Sequence, residues 1–535
     1  MITRFLILAW LTLVGAFAAE TPVSGGVLKM ALHGEPKTFD PFLVEDEISA
    51  NIRYMTGGAL IRLNRQTQKM EPELASSWVI SEGGRKITFR IRDGVRFSDG
   101  TPLTAEDVAK CLRRLVDTKH PTPSGDSFGA AEAGAAVEVL ASNQVALKFA
   151  KPRAGMELLF DMVVISRDKA SLGPFLLKEY KPGQYVHLER NPNYWKMGAN
   201  GKRLPYLDGV RLEIVTNREM ELLRFRRGEL HLLSQVESEM FERLQADKTV
   251  AALDGGPSLE SEFLWFNQNP AAPLSANRKS WFQLAAFRQA VSEAINRDDI
   301  CRLVYHGKAQ PSIGPVSPAN QFWFNRELKA PVYSPLSALK KLEALGFASK
   351  GGVLMDKTGK AVEFSVITNT GSKTREKIAT LLQQDLAKIG IRLNIVTLDF
   401  PSLIERITKT YDYDACLLGL VNIQLDPNSE MNVWLSSAAN HQWFPNQKTP
   451  ATAWEAELDK NMLAQASAMD PAKRKLYYDQ VQRIIVEQKP FIYLINKNTL
   501  AAGGASLRNL RISNLYPQTF WNIDEIYMSR QGAGK

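Results

Sequence analysis

One run of residues in this 535-residue chain has the spacing of a catalytic nucleophile. Gly125-Asp126-Ser127-Phe128-Gly129 fits GxSxG, the turn that presents the serine of an α/β hydrolase. That turn requires a strand before the serine and a helix after it, whereas residues 120–124 bring two prolines and polar side chains. The context therefore predicts an exposed loop, and a secreted serine hydrolase using Ser127 is kept as an outside alternative.

Histidines and aspartates are the other side chains that could do chemistry. Asp412 and Asp414, at i and i+2, would share one face of a strand, as paired catalytic acids could. The sequence contains neither a GxxxxGK[ST] phosphate loop nor an HExxH zinc motif. The histidines are dispersed and none is paired at i, i+4, so we expect no preformed metal site and no cofactor. They are His33, His120, His187, His231, His306 and His441.

Composition indicates a globular protein of two or three domains. The net charge of +9 is spread along the chain instead of being gathered into a run, so we expect no nucleic-acid or membrane surface. Cys111, Cys301 and Cys416 are far apart and each lies among apolar neighbours. They are predicted to be buried thiols and not a disulfide framework, although the sequence leaves open whether two of them pair.

The first 18 residues have the pattern of a secretory signal peptide. Arg4 supplies the positive charge, residues 5–14 form a short apolar run, and Ala16-Phe17-Ala18 fits a small-x-small cleavage site. Since no cysteine follows the apolar run, we expect a cleaved signal and no lipid anchor. The sequence predicts a Gram-negative periplasmic location, with an uncleaved membrane anchor as the alternative.

A strand, two turns and a helix are predicted to follow one another in the first quarter of the chain. Ile87, Phe89 and Ile91 alternate with polar residues, which is typical of a strand with one buried face. Thr104 then has the position and type of an N-cap, followed by acidic residues in the first turn. A helix is predicted to continue as far as Leu115.

The whole stretch 71–108 resembles the signature region of the family 5 extracellular solute-binding proteins. It has the order "LA.SW", strand, "DGV.FSDG.P" and "TAEDV", and this family is the peptide-, nickel- and opine-binding group that serves ABC importers. Three later stretches resemble the same family: LGPFLL at 172–177, LERNPNYW at 188–195 and FRQAVSEAINRD at 287–298. The resemblance extends over almost the entire chain.

The resemblance implies an α/β, bilobate periplasmic-binding-protein fold with a hinge and an extra smaller domain. Alternating helices and strands after residue 335 also predict α/β lobes, with largely parallel sheets. Asp412 and Asp414 lie in a segment that resembles the family's "YD..L.G" strand, which favours a structural role for them. The implied domains are lobe I at 25–63, 172–270 and 491–527, lobe II at 64–171, and lobe III at 271–490.

Peptide binders of this family are implied to carry "GW.AD" after that strand, with an aspartate that binds the ligand's α-ammonium group. Here Leu420 occupies the position of the tryptophan and Ile423 that of the acid, and isoleucine cannot pair with an ammonium. Glu45 and Asp46 are the predicted substitutes, because peptide binders place an acid near the cleft at that point. A solvated acidic turn is the alternative interpretation of these two residues.

Three polar or aromatic side chains complete the predicted site. Asn422 and Gln424 could exchange hydrogen bonds with an amide-rich ligand, and Trp443 could stack on it or pack in the core. We therefore predict a non-enzymatic, monomeric receptor that captures a short peptide or peptide-like solute between two lobes and presents it to a membrane ABC permease. A sugar, an opine or a chelated metal in the same fold is the alternative.

Overall fold

Two groups of strands share one large sheet, and a single long strand belongs to both groups. The computed structural model describes residues 21–126, 128, 134–162, 164–167, 170–420 and 424–529. The predicted signal peptide lies outside these residues. In chain order the strands are β1 (Val27–Leu32), β2 (Ile61–Leu63), β3 (Met70–Pro72), β4 (Ala75–Ser81), β5 (Lys86–Ile91), β6 (Ala136–Ala141), β7 (Gln144–Lys148), β8 (Phe175–Lys181), β9 (Tyr185–Arg190), β10 (Gly209–Ile214), β11 (Leu232–Leu233), β12 (Val250–Pro257), β13 (Ser261–Phe266), β14 (Ala309–Pro311), β15 (Ala348–Lys350), β16 (Val353–Met355), β17 (Glu363–Asn369), β18 (Arg392–Leu398), β19 (Ala415–Leu420), β20 (Phe491–Gly504), β21 (Leu507–Arg508) and β22 (Tyr527–Met528).

Helices cover the sheets and include those that the sequence predicted. In chain order the helices are α1 (Glu47–Thr56), α2 (Ala105–Leu115), α3 (Pro123–Asp126), α4 (Arg218–Arg226), α5 (Ser238–Gln245), α6 (Ala276–Gln283), α7 (Ala285–Ala294), α8 (Arg297–Asp299), α9 (Pro335–Ala344), α10 (Lys373–Ala387), α11 (Phe400–Glu405), α12 (Met431–Trp434), α13 (Ala453–Ser467) and α14 (Pro471–Gln488). From α9 to β19 the helices alternate with strands, as the sequence after residue 335 predicted.

The long strand β20 joins the two lobes. Its first residues pair with β13 and β14, and its last residues pair with β11 and β12. The resulting strand order is β18-β17-β19-β13-β20-β11-β1-β10-β9-β8. Strands on the β13 side belong to lobe III, and strands on the β11 side belong to lobe I. A second crossing runs beside it, because residues 258–260 connect β12 in lobe I to β13 in lobe III.

The sheets are mixed, so the prediction of largely parallel sheets is wrong. Among the described residues, parallel pairs are confined to β1 with β10 and β11 in lobe I, and to β17 with β18 and β19 in lobe III. The hairpin β8-β9 and the crossing strand β20 instead run antiparallel to their neighbours. Alternation of helices and strands along the sequence does not determine which strands become neighbours.

Lobe II contains the strand and helix predicted around residue 90. Its sheet has the order β4-β5-β7-β6, with every pair antiparallel. Ile87, Phe89 and Ile91 of β5 are buried in one core with α2, as their alternation predicted. Thr104 caps α2: its hydroxyl accepts from the Asp107 amide at 3.2 Å, and the Asp107 carboxylate accepts from the Thr104 amide at 3.0 Å. Local sequence patterns therefore predict the strand and the helix start of this lobe correctly.

The strand pairings move the predicted boundary between lobes I and III. Strand β13 was expected in lobe I, but it pairs with β19 and with the start of β20 in the lobe III sheet. The first residues of β20 were also expected in lobe I and belong to the same sheet. The crossings therefore lie at 258–260 and 496–498, several residues away from the predicted ends at 270 and 491.

Lobes I and II are joined by polar contacts that are largely shielded from water. Arg65 of lobe II is 3% exposed, makes two hydrogen bonds of 2.9 Å with Asp161 of the same lobe, and donates to the Tyr516 carbonyl of lobe I at 2.7 Å. Lys196 of lobe I contacts Glu73 of lobe II at 2.6 Å and Asp524 of lobe I at 3.6 Å. Removing one partner of such a pair leaves an uncompensated charge, so these contacts resist separation. We therefore treat lobes I and II as one body.

Two further expectations concern the cysteines and the membrane. Cys111, Cys301 and Cys416 are all buried free thiols, as predicted, and no two of them form a disulfide. Burial raises the pKa of all three thiols, that of Cys301 to about 12. Within the part of the chain that the structure describes, no helix is both long enough and apolar enough to cross a membrane.

One histidine links β1 to β11 and makes stability depend on pH. The His231 amide donates to the Lys29 carbonyl at 2.8 Å, and His231 Nδ1 accepts from the Lys29 amide at 3.1 Å. Burial, followed by the charge of Lys29, lowers the pKa of His231 from 6.5 to about 4. The neutral ring is therefore the form that the folded protein holds.

We expect His231 to make the protein less stable as pH falls from about 6.5 to 4. In that window the unfolded histidine binds a proton that the folded one does not, so its contribution is complete above 6.5 and is lost below it. The loss is at most about 3 kcal/mol. Urea unfolding of the wild type and of His231→Asn, whose side-chain oxygen can still accept from the amide, should show a smaller pH slope in the variant. Equal slopes would contradict this assignment.

Candidate functional site

In lobe I, the carboxyl ends of parallel strands bring polar side chains to one edge of the sheet. Strands β1, β10 and β11 end at Leu32, Ile214 and Leu233. His33 follows the first strand, and Gln235 follows the last. Ligands of open α/β sheets bind outside the carboxyl ends of parallel strands, so this edge is one wall of a candidate site.

Charged side chains on this wall are held by hydrogen bonds. Glu221 of α4 is 3% exposed, and its carboxylate contacts His33 Nε2 at 2.9 Å and Arg218 Nη1 at 3.2 Å. Arg218 also donates to Gln235 at 3.4 Å, and Gln235 donates to Glu47 at 3.5 Å. The wall therefore carries both signs of charge in fixed positions.

Lobe III has a corresponding edge, where β17, β18 and β19 end at Asn369, Leu398 and Leu420. Arg375 of α10 lies there and donates to both carboxylate oxygens of Glu262, at 2.9 and 3.2 Å. It also donates to Asn369 Oδ1 at 2.8 Å. Burial alone would lower the pKa of Arg375, but the Glu262 carboxylate outweighs it and raises that pKa, so the guanidinium remains charged at neutral pH.

Strand β20 forms the floor between the two walls. Ile495 and Lys497 alternate onto one face of this strand, and Lys497 contacts Glu260 of the other crossing at 2.9 Å. Together with Leu420 and Glu262 they line a cavity of about 30 Å³. That volume has room for one or two water molecules, and its lining residues belong to lobe III and the crossings, so this cavity by itself is too small for a larger solute.

Of the acids predicted to anchor a ligand, Asp46 has a defined structural role and Glu45 is exposed. Asp46 is the N-cap of α1, and its Oδ1 accepts from the Ser49 amide at 2.9 Å. Its Oδ2 is enclosed and has no hydrogen-bond partner among the described residues. One oxygen of Asp46 thus stabilises the helix, and the other is buried without a hydrogen-bond partner among the described residues.

The ligand-binding residues predicted at 420–424 of lobe III do not share one environment. Leu420 lines the small cavity and pairs with Ser261. Gln424 is exposed, and Asn422 and Ile423 lie outside the described residues. Asp426, which follows them, accepts from both terminal nitrogens of Arg474 at 2.8 and 2.7 Å.

Trp443 lies in the core of lobe III, which corrects its prediction as a pocket residue. Its side chain is 0% exposed and packs against Trp434 and Phe491. Its indole nitrogen donates to Glu455 at 3.0 Å. Because the ring is enclosed and its only donor is satisfied, Trp443 is not part of the site that we propose. Core packing was the alternative that the sequence left open.

The residues that suggested catalysis are not arranged for it where the structure describes them. Asp414 is buried, accepts from the Ser365 amide at 2.8 Å and pairs with Arg278 at 3.2 Å, whereas Asp412 is exposed. Burial raises the pKa of Asp414, and its contacts link β17 to β19. The residues before α3 form no strand, and Ser127 lies outside the described residues. Among the described residues, no group of three His, Cys, Asp or Glu side chains could hold a metal.

Residues 69–442 match the sequence profile described as "Bacterial extracellular solute-binding proteins, family 5 Middle". This match covers more than half of the chain. The chain belongs to this family. The resemblance noted for residues 71–108 is therefore confirmed.

Relatives in this family match nearly the whole chain. It is 26% identical to the "Probable ABC transporter-binding protein" of Deinococcus radiodurans, over 88% of this chain and 87% of the relative. It is 24% identical to the "Oligopeptide-binding protein AppA" of Bacillus subtilis, over 96% of this chain and 93% of the relative. This chain thus spans almost the full length of these relatives.

Solved structures show the same bilobate fold. The oligopeptide-binding protein AppA from Bacillus subtilis, in complex with a nonapeptide, has a TM-score of 0.68 and 23% identity, and covers 95% of this chain and 100% of that one. NikA from Brucella suis, in complex with Fe(III)-EDTA, has a TM-score of 0.78 and 18% identity, and the match covers 94% of this chain and 100% of NikA. At these identities the likeness establishes the fold, as predicted, and not the ligand.

Sequence reasoning missed most of the charged residues on the two walls. His33 is far from Arg218 and Glu221 in the sequence, and the fold brings these three together. Glu262 is likewise far from Arg375, which it contacts in lobe III. A usable signal was present for His33, because it directly follows the first predicted strand. No comparable signal marked Glu262, whose strand was assigned to the other lobe.

Two substitutions separate the capping role of Asp46 from its charge. We expect Asp46→Ala to lower the free energy of unfolding by about 1 kcal/mol, because α1 loses its cap. We expect Asp46→Ser to keep that stability, since a serine hydroxyl can still accept from the Ser49 amide. Chemical denaturation measures both variants, and Glu45→Ala is the control at an exposed neighbour. Equal losses in the two Asp46 variants would contradict the capping role.

Proposed function

We propose that the protein is a periplasmic receptor that binds a short peptide or peptide-like solute between lobes I and III and delivers it to a membrane ABC permease. The observation that carries this proposal is the pair of charged walls, each at the carboxyl ends of parallel strands, connected through β20. Membership of a solute-binding family supports it.

Capture of the solute follows from the arrangement of walls and crossings. A solute that contacts both walls does so only when the lobes are closed, so it stabilises the closed state in proportion to those contacts. Residues 258–260 and 496–498 are the two crossings about which the lobes would rotate. No covalent step is needed, and we propose that the protein has no catalytic activity.

A peptide suits the walls because it carries charge of both signs. Arg218, Arg375 and Lys497 are candidate partners for a carboxylate, and Asp46 Oδ2 is a candidate partner for an ammonium group. Relatives are named for such ligands: AppA of Bacillus subtilis is an oligopeptide-binding protein, and DppA of Helicobacter pylori was solved with the peptide STSA. Recovery of a bound sugar, opine or chelated metal, in place of a peptide, is the alternative result of the mass-spectrometry experiment described below.

The remaining parts of the proposal concern location and partners. We propose export through a signal peptide cleaved near residue 18, no lipid anchor, and a monomer that does not bind nucleic acid. The apolar run at 5–14 and the dispersed positive charge support these statements.

Native mass spectrometry of the protein purified without refolding should show a bound peptide. Calorimetric titration with peptides of about two to nine residues should then give a dissociation constant in the micromolar range or below. Titration with a sugar series is the control. Recovery of a sugar or a metal chelate, with no peptide binding, would contradict the peptide assignment.

The same titration tests Asp46 as the anchor of the ammonium group. Asp46→Ser should weaken binding of a free peptide by about 1.5–3 kcal/mol, the usual contribution of a hydrogen bond to a charged group. It should not change the binding of the N-acetylated peptide, which has no ammonium group. Equal effects on the two peptides would exclude this role.

A further inference from the structure

Three loops of lobe II touch lobe III in this structure. They are the turn at 66–68 between β2 and β3, the turn at Gly84 between β4 and β5, and the segment at Gly155 before the 3₁₀ turn Met156–Phe160. We call these three loops the clasp. None of them belongs to the walls of the proposed site, and lobe II has no role in the function proposed above.

The first contact of the clasp is a double hydrogen bond made by one side-chain amide. Gln68 Nε2 donates to the Ala319 carbonyl at 2.6 Å, and Gln68 Oε1 accepts from the Gln321 amide at 3.0 Å. Gln321 Nε2 in turn donates to the Gln66 carbonyl at 3.3 Å. The Gln68 side chain thus pairs with lobe III as a neighbouring peptide group in a sheet would.

The second contact is a close approach that only glycine permits. A Cβ on Gly155 would lie 2.8 Å from Asp426 Oδ2 and 3.2 Å from Arg474 Nη1. These two lobe III side chains are fixed by their own double hydrogen bond and cannot easily move aside. At Gly84 a Cβ would meet the flexible end of Met469, which could shift aside. A side chain is therefore less easily accommodated at Gly155 than at Gly84.

All three loops carry a left-handed backbone at the point of contact. Gln68 has φ of 56°, Gly84 has φ of 84° and Gly155 has φ of 67°. For Gln68 this conformation is unfavourable, because its side chain gives it none of glycine's freedom. A residue kept in such a conformation points to a function, and here its side chain is the one that crosses to lobe III.

The clasp connects the two bodies at points away from the crossings. The Lys196–Glu73 ion pair and the hydrogen bond from Arg65 to the Tyr516 carbonyl tie lobe II to lobe I, and lobe III joins them through the two crossings. An apolar cluster of Leu63, Leu259, Ala319 and Leu515 lies beside the first contact and draws residues from both bodies. Opening the lobes would therefore break the clasp while leaving each body intact.

We propose that the clasp holds lobes I and III in the closed state. Gln68 and Gly155 then set the closed-to-open ratio without touching the solute. This inference rests on the proposed closure of lobes I and III. It deepens that function, because the affinity for any solute rises with the fraction of the protein that is closed.

Gly155→Ala tests the clasp, with Gly94→Ala as its matched control. Gly94 is also in lobe II and has φ of 76°, and a Cβ at this position would have no other atom within 4 Å, so both variants bear the same backbone strain. Spin labels on cysteines at exposed Lys119 and Lys448 would report the distance between lobes II and III. The native cysteines are buried and should not react.

We expect Gly155→Ala to lower the closed-to-open ratio of the ligand-free protein by at least about fivefold relative to Gly94→Ala, the low end of typical coupling between sites. The distance distribution should move to longer values in the first variant only. Identical distributions in the two variants would overturn the proposal.

Gln68→Gly provides a second test, in which stability and closure should change in opposite directions. Glycine relieves the left-handed strain, so thermal unfolding should occur at an equal or higher temperature. Loss of the amide should nevertheless lengthen the interlobe distance. A variant that remains closed would contradict the role of Gln68.

The distance measurement uses ligand-free protein, so it does not depend on the identity of the solute. If Gly155→Ala lengthens the interlobe distance relative to Gly94→Ala but no peptide binds, the peptide assignment fails and the clasp stands. If a peptide binds with the same affinity to wild type, Gly155→Ala and Gly94→Ala, the receptor function stands and the clasp fails.

Discussion

The hydrogen-bonded ladder of β20 is the constraint on which the rest of the structure depends. This strand contributes its first half to the lobe III sheet and its second half to the lobe I sheet. Both walls of the proposed site are therefore positioned relative to one continuous backbone. The two ladders meet at residues 496–498 of β20, beside the antiparallel crossing at 258–260, so this is where the lobe I and lobe III sheets would bend relative to each other.

Local features of the structure were predictable, and pairings between distant segments were not. The cap of α2 by Thr104 and the buried face of β5 each depend on residues within one turn or one strand. The assignment of β13 to lobe I failed because its partners, β19 and β20, follow it by more than 140 residues. Strand direction is likewise decided by neighbours that no local pattern reveals.

In the candidate site, too, contacts between distant segments could not be predicted from the sequence. Asp46 was selected for its charge, and the structure adds that one of its oxygens caps α1. Trp443 was selected because aromatic rings in a polar segment resemble a pocket, but contacts with Trp434 and Phe491 enclose it. The pair Arg375–Glu262 joins residues 113 positions apart, so no motif could have indicated it. Membership of the family was accessible from sequence because its signature lies in a single continuous stretch.

The three thiols have a consequence for how the protein can be made. Cys111, Cys301 and Cys416 are all unpaired and enclosed, and their raised pKa values keep them in the unreactive protonated form. Folding therefore requires no oxidant and no disulfide isomerase. The chain should reach the same fold under reducing conditions as under oxidising ones, which makes production in a reducing cytoplasm a practical route.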